Sequence, residues 1–196
     1  MKTSVLSTLA VLASISIGFA QAPATPTTPG APGTPTTTTG GGAGAKAKPL
    51  AQADKTLLKN TADSAFYLIN LCDKSKRGAK ADTVKKTGEK MLEDLNKIWG
   101  ELGEVAKTNN EVLATELKGA DKSHAEKIGK AEADKFDKQF LDEAGKEAKK
   151  LSRYLETASK SAQSPELKKV GENWSPTVKG YADELDKAEK EAAKAK

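Results

Sequence analysis

Apolar side chains recur at alternating spacings of three and four residues in four separate segments of this chain. Because an α-helix has about 3.6 residues per turn, this spacing places the apolar side chains of each segment along one helix face. Helices that each carry one apolar face bury it by packing against one another. The sequence therefore predicts an all-α fold, an antiparallel four-helix bundle. The four apolar stripes are Leu58, Ala62, Ala65, Ile69 and Cys72; Val84, Gly88, Met91, Leu95, Ile98, Leu102 and Val105; Phe136, Phe140, Ala144, Ala148, Leu151, Leu155 and Ala158; and Leu167, Val170, Trp174, Val178, Tyr181, Leu185 and Ala188.

Local signals predict where these helices begin and end. The carboxylate of Asp82 can accept free backbone N–H groups and so cap the second helix, and Asn109-Asn110 can end it. Asp121 can cap a short extra helix before the third long one. Ser164-Pro165-Glu166 is a start signal, because it combines a cap, a proline in the first helical position and an acid near the helix dipole. Pro176 interrupts the fourth stripe, but the apolar spacing continues beyond it, so we expect a kinked helix.

The first 20 residues have the order of a secretory signal peptide. Lys2 is positively charged, residues 5–19 are mostly apolar, and the small residues Gly18 and Ala20 lie at the end of this apolar run. This order predicts a signal peptide over 1–20, with cleavage after Ala20. The alternative is an uncleaved anchor, but the apolar run contains two serines and is shorter than the roughly 20 residues of a membrane span. We therefore expect a periplasmic or secreted protein with no stable membrane span after cleavage.

Residues 21–49 consist mainly of Pro, Thr, Gly and Ala. Such a segment has too little apolar surface to offset the loss of chain entropy on folding, which predicts a disordered linker. The glycines at 40–42 are not a phosphate-binding loop, because no Gly-Lys-Ser/Thr sequence ends them. The remaining residues, 50–196, have the length of one helical bundle domain.

Charge and cysteine content exclude several classes of protein. The chain has 32 basic and 27 acidic residues, and they alternate along segments such as Lys138, Asp142 and Lys146. This pattern is typical of solvated helix faces, and we expect no specific binding of nucleic acid, which needs clustered cations and stacking aromatic rings. Cys72 is the single cysteine, so an intramolecular disulfide is impossible and the core must rely on helix packing.

Several short sequences resemble a known family, the exported bacterial domain of unknown function 4142. They are residues 57–62 (LLKNTA), 89–94 (EKMLED) and 134–141 (DKFDKQFL), followed by 164–167 (SPEL) and the late Pro176. The resemblance extends over nearly the whole domain. It implies a ferritin-like four-helix bundle located in the periplasm or outside the cell, and it implies little about function.

The resemblance also implies histidines on the inner helices of many family members, one of them after the aspartate that ends the second motif. In this chain Leu95 follows Asp94, and residues 136–162 and 178–185 contain no histidine. The residues of this chain therefore do not support the metal-binding role that those histidines suggest for other members.

Catalytic and metal sites find little support in the sequence. A ferritin-like di-iron site needs two Glu-x-x-His pairs, and His124 is the single histidine. Asp121, His124 and Glu126 could form a loose surface metal site, but an exposed histidine on a short helix is the simpler interpretation. Cys72 lies on the apolar stripe, which indicates a buried thiol rather than a reactive one.

Two further groups of side chains are candidates of lower specificity. Glu101 and Glu104 lie at helical spacing, and such pairs are usually solvated. Trp174 and Tyr181 have the spacing of core residues, while Trp99 lies beside the stripe and is expected at the bundle edge. The alternative places Trp99 or Trp174 in a ligand groove or partner surface.

These observations lead to the hypothesis of an exported, non-enzymatic helical-bundle protein with an envelope or stress-associated binding or structural role. No catalytic residue, metal ligand or cofactor is assigned, and the expected partner is an unknown protein or envelope component. Two alternatives remain open at this point. One is a metal-binding ferritin-like protein, supported by analogy of fold alone; the other is a weak binder of polyanions or anionic surfaces through lysine-rich faces.

Overall fold

The computed structural model describes residues 49–194, which form five α-helices and no strand. The helices are α1 (Gln52–Gly78), α2 (Asp82–Thr108), α3 (Gly119–Gly129), α4 (Ala133–Ser161) and α5 (Pro165–Lys194). The predicted all-α class and the short extra helix are confirmed. The signal peptide and the linker up to residue 48 lie outside the described residues. Among the helices described, none is both long and apolar enough to span a membrane.

Each long helix packs against two other long helices. Helix α1 lies between α2 and α4, while α5 contacts α4 and α2; the short α3 covers part of α1 and α4. Tyr67 pairs with Glu143 while Ser64, one turn earlier, pairs with Glu147, one turn later. Helices α1 and α4 are therefore antiparallel.

The predicted stripes coincide with the core most closely in α2 and α4. All seven stripe residues of each of these helices are buried. In α1 the buried face is broader, because this helix contacts three others, α2, α3 and α4. Leu68 and Leu71 are fully buried there, whereas the predicted stripe residue Ile69 is only partly buried. In α5, Trp174 and Ala188 are also only partly buried.

The predicted cap at Asp82 is wrong, because the extended residue Ala81 is the N-cap and Asp82 already lies inside α2 without a capping hydrogen bond. The carboxylate of Asp137, at the start of α4, instead accepts hydrogen bonds from the N–H groups of Lys80 (2.9 Å) and Ala81 (2.8 Å). An acid distant in sequence thus holds the turn between α1 and α2.

The predicted cap at Asp121 is wrong for the same reason. The N-cap of α3 is Lys118, and Asp121 lies within the first turn without a capping hydrogen bond. Asp121 therefore does not occupy the N-cap position, from which a side chain accepts the free N–H groups of the first turn.

The start of α5 confirms the Ser164-Pro165-Glu166 signal. The Ser164 hydroxyl accepts the N–H of Leu167 at 3.2 Å, as a cap should. In addition, the buried carboxylate of Asp54, on α1, accepts the N–H groups of Gln163 (3.0 Å) and Ser164 (2.7 Å). Asp54 therefore fixes the turn between α4 and α5 from the opposite helix.

Two other predicted boundaries are supported. Helix α2 ends at Thr108, and Asn110 adopts a left-handed backbone with φ of 55°. Helix α5 continues through Pro176 without a break. The continuation is confirmed, and the kink at this proline stays a prediction.

Candidate functional site

The largest group of polar side chains near the core lies between α1 and α4. Glu143 and Glu147, one turn apart on α4, face Tyr67 and Ser64 on α1. The Tyr67 hydroxyl donates to Glu143 Oε1 at 2.9 Å, and the Ser64 hydroxyl donates to Glu147 Oε1 at 2.5 Å. Ser64 and Tyr67 are buried, and Glu147 is 9% exposed. We call these four residues the α1–α4 polar seam.

Two nitrogen-bearing side chains, those of Lys150 and His124, approach the polar seam from its outer side. Lys150 Nζ lies 3.2 Å from Glu147 Oε1, and His124 Nδ1 of α3 lies 4.0 Å from Glu143 Oε1. Burial by itself would lower the pKa of Lys150, but the Glu147 carboxylate outweighs it and raises the pKa above the ordinary value. Lys150 therefore stays charged and neutralises the more deeply buried of the two glutamates.

Burial and the neighbouring Glu143 carboxylate raise the pKa of Tyr67 well above its ordinary value. Tyr67 is thus a permanent hydrogen-bond donor. On the same helix, burial and then the nearby Asp121 raise the pKa of Asp63. Helix α3 thus brings an additional carboxylate close to the outer edge of the polar seam.

The polar seam is poorly placed for chemistry on a substrate. A cavity of about 290 Å³ outside it is lined by His124, Gln139, Glu143 and neighbouring residues, but by neither Ser64 nor Glu147. The Ser64 hydroxyl is 2% exposed, so a substrate could reach it only if α1 and α4 separated. The arrangement joins two helices by hydrogen bonds between buried groups.

A second set of polar contacts joins α2 to α5. The Tyr181 hydroxyl donates to Asp94 Oδ2 at 2.6 Å, and the Trp174 indole N–H donates to Glu101 Oε1 at 2.9 Å. The hydrogen bond from Tyr181 lowers the pKa of Asp94. Burial opposes this effect, but Lys97 lowers the pKa further. Asp94 therefore stays ionised and keeps accepting the hydrogen bond from the core-facing tyrosine.

These contacts refine the expectations for the aromatic and acidic candidates. Tyr181 is a core residue as predicted, at 2% exposure, but Trp174 lies at the edge, where it binds Glu101. Glu101 is therefore partly buried and paired rather than simply solvated, unlike the exposed Glu104. Trp99 lies at the bundle edge as predicted, with its ring 5.0 Å from that of Phe66.

The structure confirms the predicted burial of Cys72. Its side chain is 0% exposed, and desolvation raises the pKa of its thiol to about 12. Since the thiolate is the nucleophilic form, Cys72 is part of the apolar core and has no partner among His124 or the acids considered above.

The three residues weighed for a surface metal site do not converge. His124 is 61% exposed on α3, as predicted for an exposed histidine on a short helix. Among the side chains that the structure describes, which exclude that of residue 134, no group of three or more His, Cys, Asp and Glu could hold a metal ion. The charge of Asp121 instead adds to the effect of burial in raising the pKa values of Asp63 and Tyr67.

Sequence reasoning missed Asp54, Asp137, Glu143 and Glu147, which hold the turns and the polar seam. Asp54 is 110 residues from its partner Ser164, and Glu147 is 83 residues from Ser64. Contacts over such separations leave no local pattern. The one available signal is that Glu143 and Glu147 lie one helical turn apart, close to the apolar stripe that includes Ala144 and Ala148.

Comparison with known proteins gives one match. A family model described as a domain of unknown function (DUF4142) matches residues 40–189, which is most of the chain. No curated protein and no solved structure matches.

Proposed function

This chain belongs to the DUF4142 family of domains of unknown function, and from that premise we propose that it is an exported, non-enzymatic helical-bundle protein that acts by binding a component of the cell envelope. The proposal combines three elements: the arrangement of the helices, the role of the buried polar groups and the export expected from residues 1–20.

The arrangement we propose is an antiparallel, ferritin-like four-helix bundle of α1, α2, α4 and α5. Each of these helices contacts two of the other three, which supports a closed ring of neighbours. The contacts Trp174–Glu101 and Tyr181–Asp94 run in opposite directions along α5 and α2, as Tyr67–Glu143 and Ser64–Glu147 do along α1 and α4. Alternating directions are what short connections between neighbouring helices produce.

The observation that carries a binding rather than a catalytic role is that the buried polar groups already hold the fold together. Asp54 binds the turn between α4 and α5, and Ser64 binds Glu147 across α1 and α4. Among residues 49–194, every buried side-chain nitrogen or oxygen has a hydrogen-bond partner. Catalytic sites, in contrast, commonly keep perturbed polar groups directed at a cleft. An activity of this domain is therefore expected at its surface.

The surface cavities have the form of open grooves. One with a volume of about 790 Å³ lies between α4 and α5 and is lined by residues such as Arg153, Gly171, Pro176 and Lys179. Charged side chains such as Lys149, Lys160 and Asp183 line it, and it is open to solvent, whereas pockets for small molecules enclose most of the ligand surface. This favours a macromolecular or surface partner.

Export is tested by fractionating cells that express the full chain and measuring the mass of the recovered protein. We expect it in the periplasm or medium, with its new N-terminus at Gln21. Recovery of the uncleaved chain in the cytoplasm would contradict export. It would leave the proposed binding role untested by this experiment, and the crosslinking experiment below tests that role separately.

The binding role is tested by crosslinking in intact cells followed by isolation of the chain from the envelope fraction. We expect one reproducible crosslinked component. A hydrolytic or redox activity of the purified protein, abolished by a single substitution such as Ser64→Ala while the fold is retained, would refute the non-enzymatic assignment.

A further inference from the structure

The positive charge of the domain is concentrated in one short segment. Residues 73–86 contain six basic and two acidic residues, whereas the rest of residues 49–194 contains 22 basic and 25 acidic residues. The excess of positive charge therefore belongs to the end of α1, the turn after it and the start of α2. We call the six cations the basic end; they are Lys74, Lys76, Arg77, Lys80, Lys85 and Lys86.

The basic end lies on a fixed part of the molecule. The turn at Lys80 and Ala81 is held by the carboxylate of Asp137. Gly78 lies so close to the ring of Phe136 that a β-carbon at this position would be about 2.5 Å from a ring carbon. The ends of α1 and α3 meet here as well, because a β-carbon at Gly129 would lie 2.9 Å from Cδ of Lys74. The start of α4 and the end of α3 thus support the segment that carries the charges.

Helix stability accounts for only part of this cluster. Lys76 and Arg77 lie in the last turn of α1, where cations interact favourably with the helix dipole, and both form ion pairs with Asp73. Lys85 and Lys86 lie near the N-terminus of α2, where the dipole disfavours cations, and they form no ion pair with another described residue. Neither the helix dipole nor an ion pair accounts for these two lysines.

The chemistry of the segment favours an extended anionic surface as its ligand. Residues 73–86 contain no aromatic side chain, and the nearby Phe136 is fully buried. Bases of single-stranded nucleic acid therefore find no ring on which to stack. The helices end at this surface instead of lying along it, so no helix is presented for insertion into the major groove of a duplex.

We propose that the basic end docks the protein on an anionic lipid bilayer, with the lysine and arginine side chains facing the phosphate headgroups. The inference rests on the proposed function, since it names the envelope component that is bound. Because the cluster has no apolar side chain to insert, binding is electrostatic, peripheral and reversible.

The test is cosedimentation of the full chain with vesicles of equimolar phosphatidylglycerol and phosphatidylcholine. Pure phosphatidylcholine vesicles measure any contribution of the apolar residues 5–19, which does not depend on lipid charge. We expect the double variant Lys85→Gln/Lys86→Gln to lose about tenfold or more in affinity for the anionic vesicles. Raising the salt from about 0.1 M to about 1 M shortens the screening length from about 10 Å to about 3 Å and should abolish the excess of binding to anionic over neutral vesicles.

The chain offers a matched control in Lys168→Gln/Lys169→Gln. These lysines occupy the same positions in α5 that Lys85 and Lys86 occupy in α2, the fourth and fifth residues of the helix. They are exposed and lie beside the turn that Asp54 holds, near the start of α1. The basic end, in contrast, includes the end of α1. This variant should bind like the unchanged protein, and both variants should keep its helical circular dichroism.

Equal losses in the two variants would show a dependence on net charge alone and would overturn the proposal. So would an excess of binding to anionic over neutral vesicles that persists at high salt, binding of equal strength to neutral vesicles, or tighter binding to duplex DNA than to anionic vesicles. A negative vesicle result with protein recovered outside the cytoplasm would reject the bilayer as partner and leave the export and binding proposal standing.

Discussion

Helices α4 and α5 approach each other closely at Gly171, and replacing this residue by alanine tests how tightly the two helices pack. A β-carbon at this position would lie 2.5 Å from the carbonyl oxygen of Leu155 and 2.9 Å from Cβ of Ala158, and it would also meet the backbone nitrogen of Ser159. Two of these three atoms belong to the backbone, so no change of side-chain rotamer relieves the clash. The Gly171→Ala variant must move α5 away from α4.

The expected magnitude follows from two opposing terms. Overpacking a well-packed core costs about 1–3 kcal/mol, and backbone contacts place this site at the upper limit. Alanine in place of glycine in a helix interior stabilises by about 1 kcal/mol. The net prediction for Gly171→Ala is a loss of about 2 kcal/mol in the free energy of unfolding.

Gly180 in the same helix provides the control, because a β-carbon there would meet nothing within 4 Å. Gly180→Ala should therefore show the helix-propensity gain alone, about 0.5–1 kcal/mol. Urea unfolding followed by circular dichroism measures both variants, and their melting temperatures should shift in opposite directions by about 2–4 °C per kcal/mol. If Gly171→Ala is as stable as the unchanged protein or more stable, α4 and α5 are not in the contact described.

Three further experiments test the polar contacts and the core. Asp137→Ala should lower the free energy of unfolding by about 0.5–2 kcal/mol, because the N–H groups of the turn lose their acceptor. Asp82→Ala should cost less, and equal losses for the two variants in urea unfolding would contradict the role of Asp137. Tyr181→Phe should lower the free energy of unfolding at neutral pH, and this loss should become smaller as the pH falls below about 3.9. The reason is that the lowered pKa of Asp94 adds stability only while this carboxylate is ionised. A difference in unfolding free energy that does not change with pH would refute this. Cys72 should react with a thiol reagent only as the chain unfolds in urea, since its thiol is fully buried with a pKa of about 12; rapid labelling of the native protein would contradict this burial.

Periodicity predicted the core of α2 and α4 well because each of these stripes faces the interior along its whole length. All seven predicted positions in each helix are buried. The same reasoning was less complete for α1, since a stripe of five residues describes one narrow face and α1 buries a broad one. Leu68 and Leu71 of α1 are fully buried although they lie outside the predicted stripe.

Contacts between distant residues were beyond sequence reasoning for a physical reason. A cap placed by local rules joins atoms within one helical turn, and Ser164 obeys those rules. Asp137 and Asp54 cap turns that are 56 and 109 residues away, so their role exists only after the helices have packed. Asp82 and Asp121 had the right residue type but already lie inside their helices.

The basic end and the turn that carries it depend on the same carboxylate. Six like charges within residues 74–86 repel one another, and an acid at their centre would ordinarily reduce that repulsion. Asp137 occupies that central place, but both of its oxygens accept backbone N–H groups of the turn. Asp137 therefore fixes the backbone that carries these cations. The structural role of Asp137 and the binding role proposed for Lys85 and Lys86 separate the effects of two substitutions. Asp137→Ala should lower stability and leave the lysines able to bind, whereas Lys85→Gln/Lys86→Gln should lower binding and leave stability nearly unchanged.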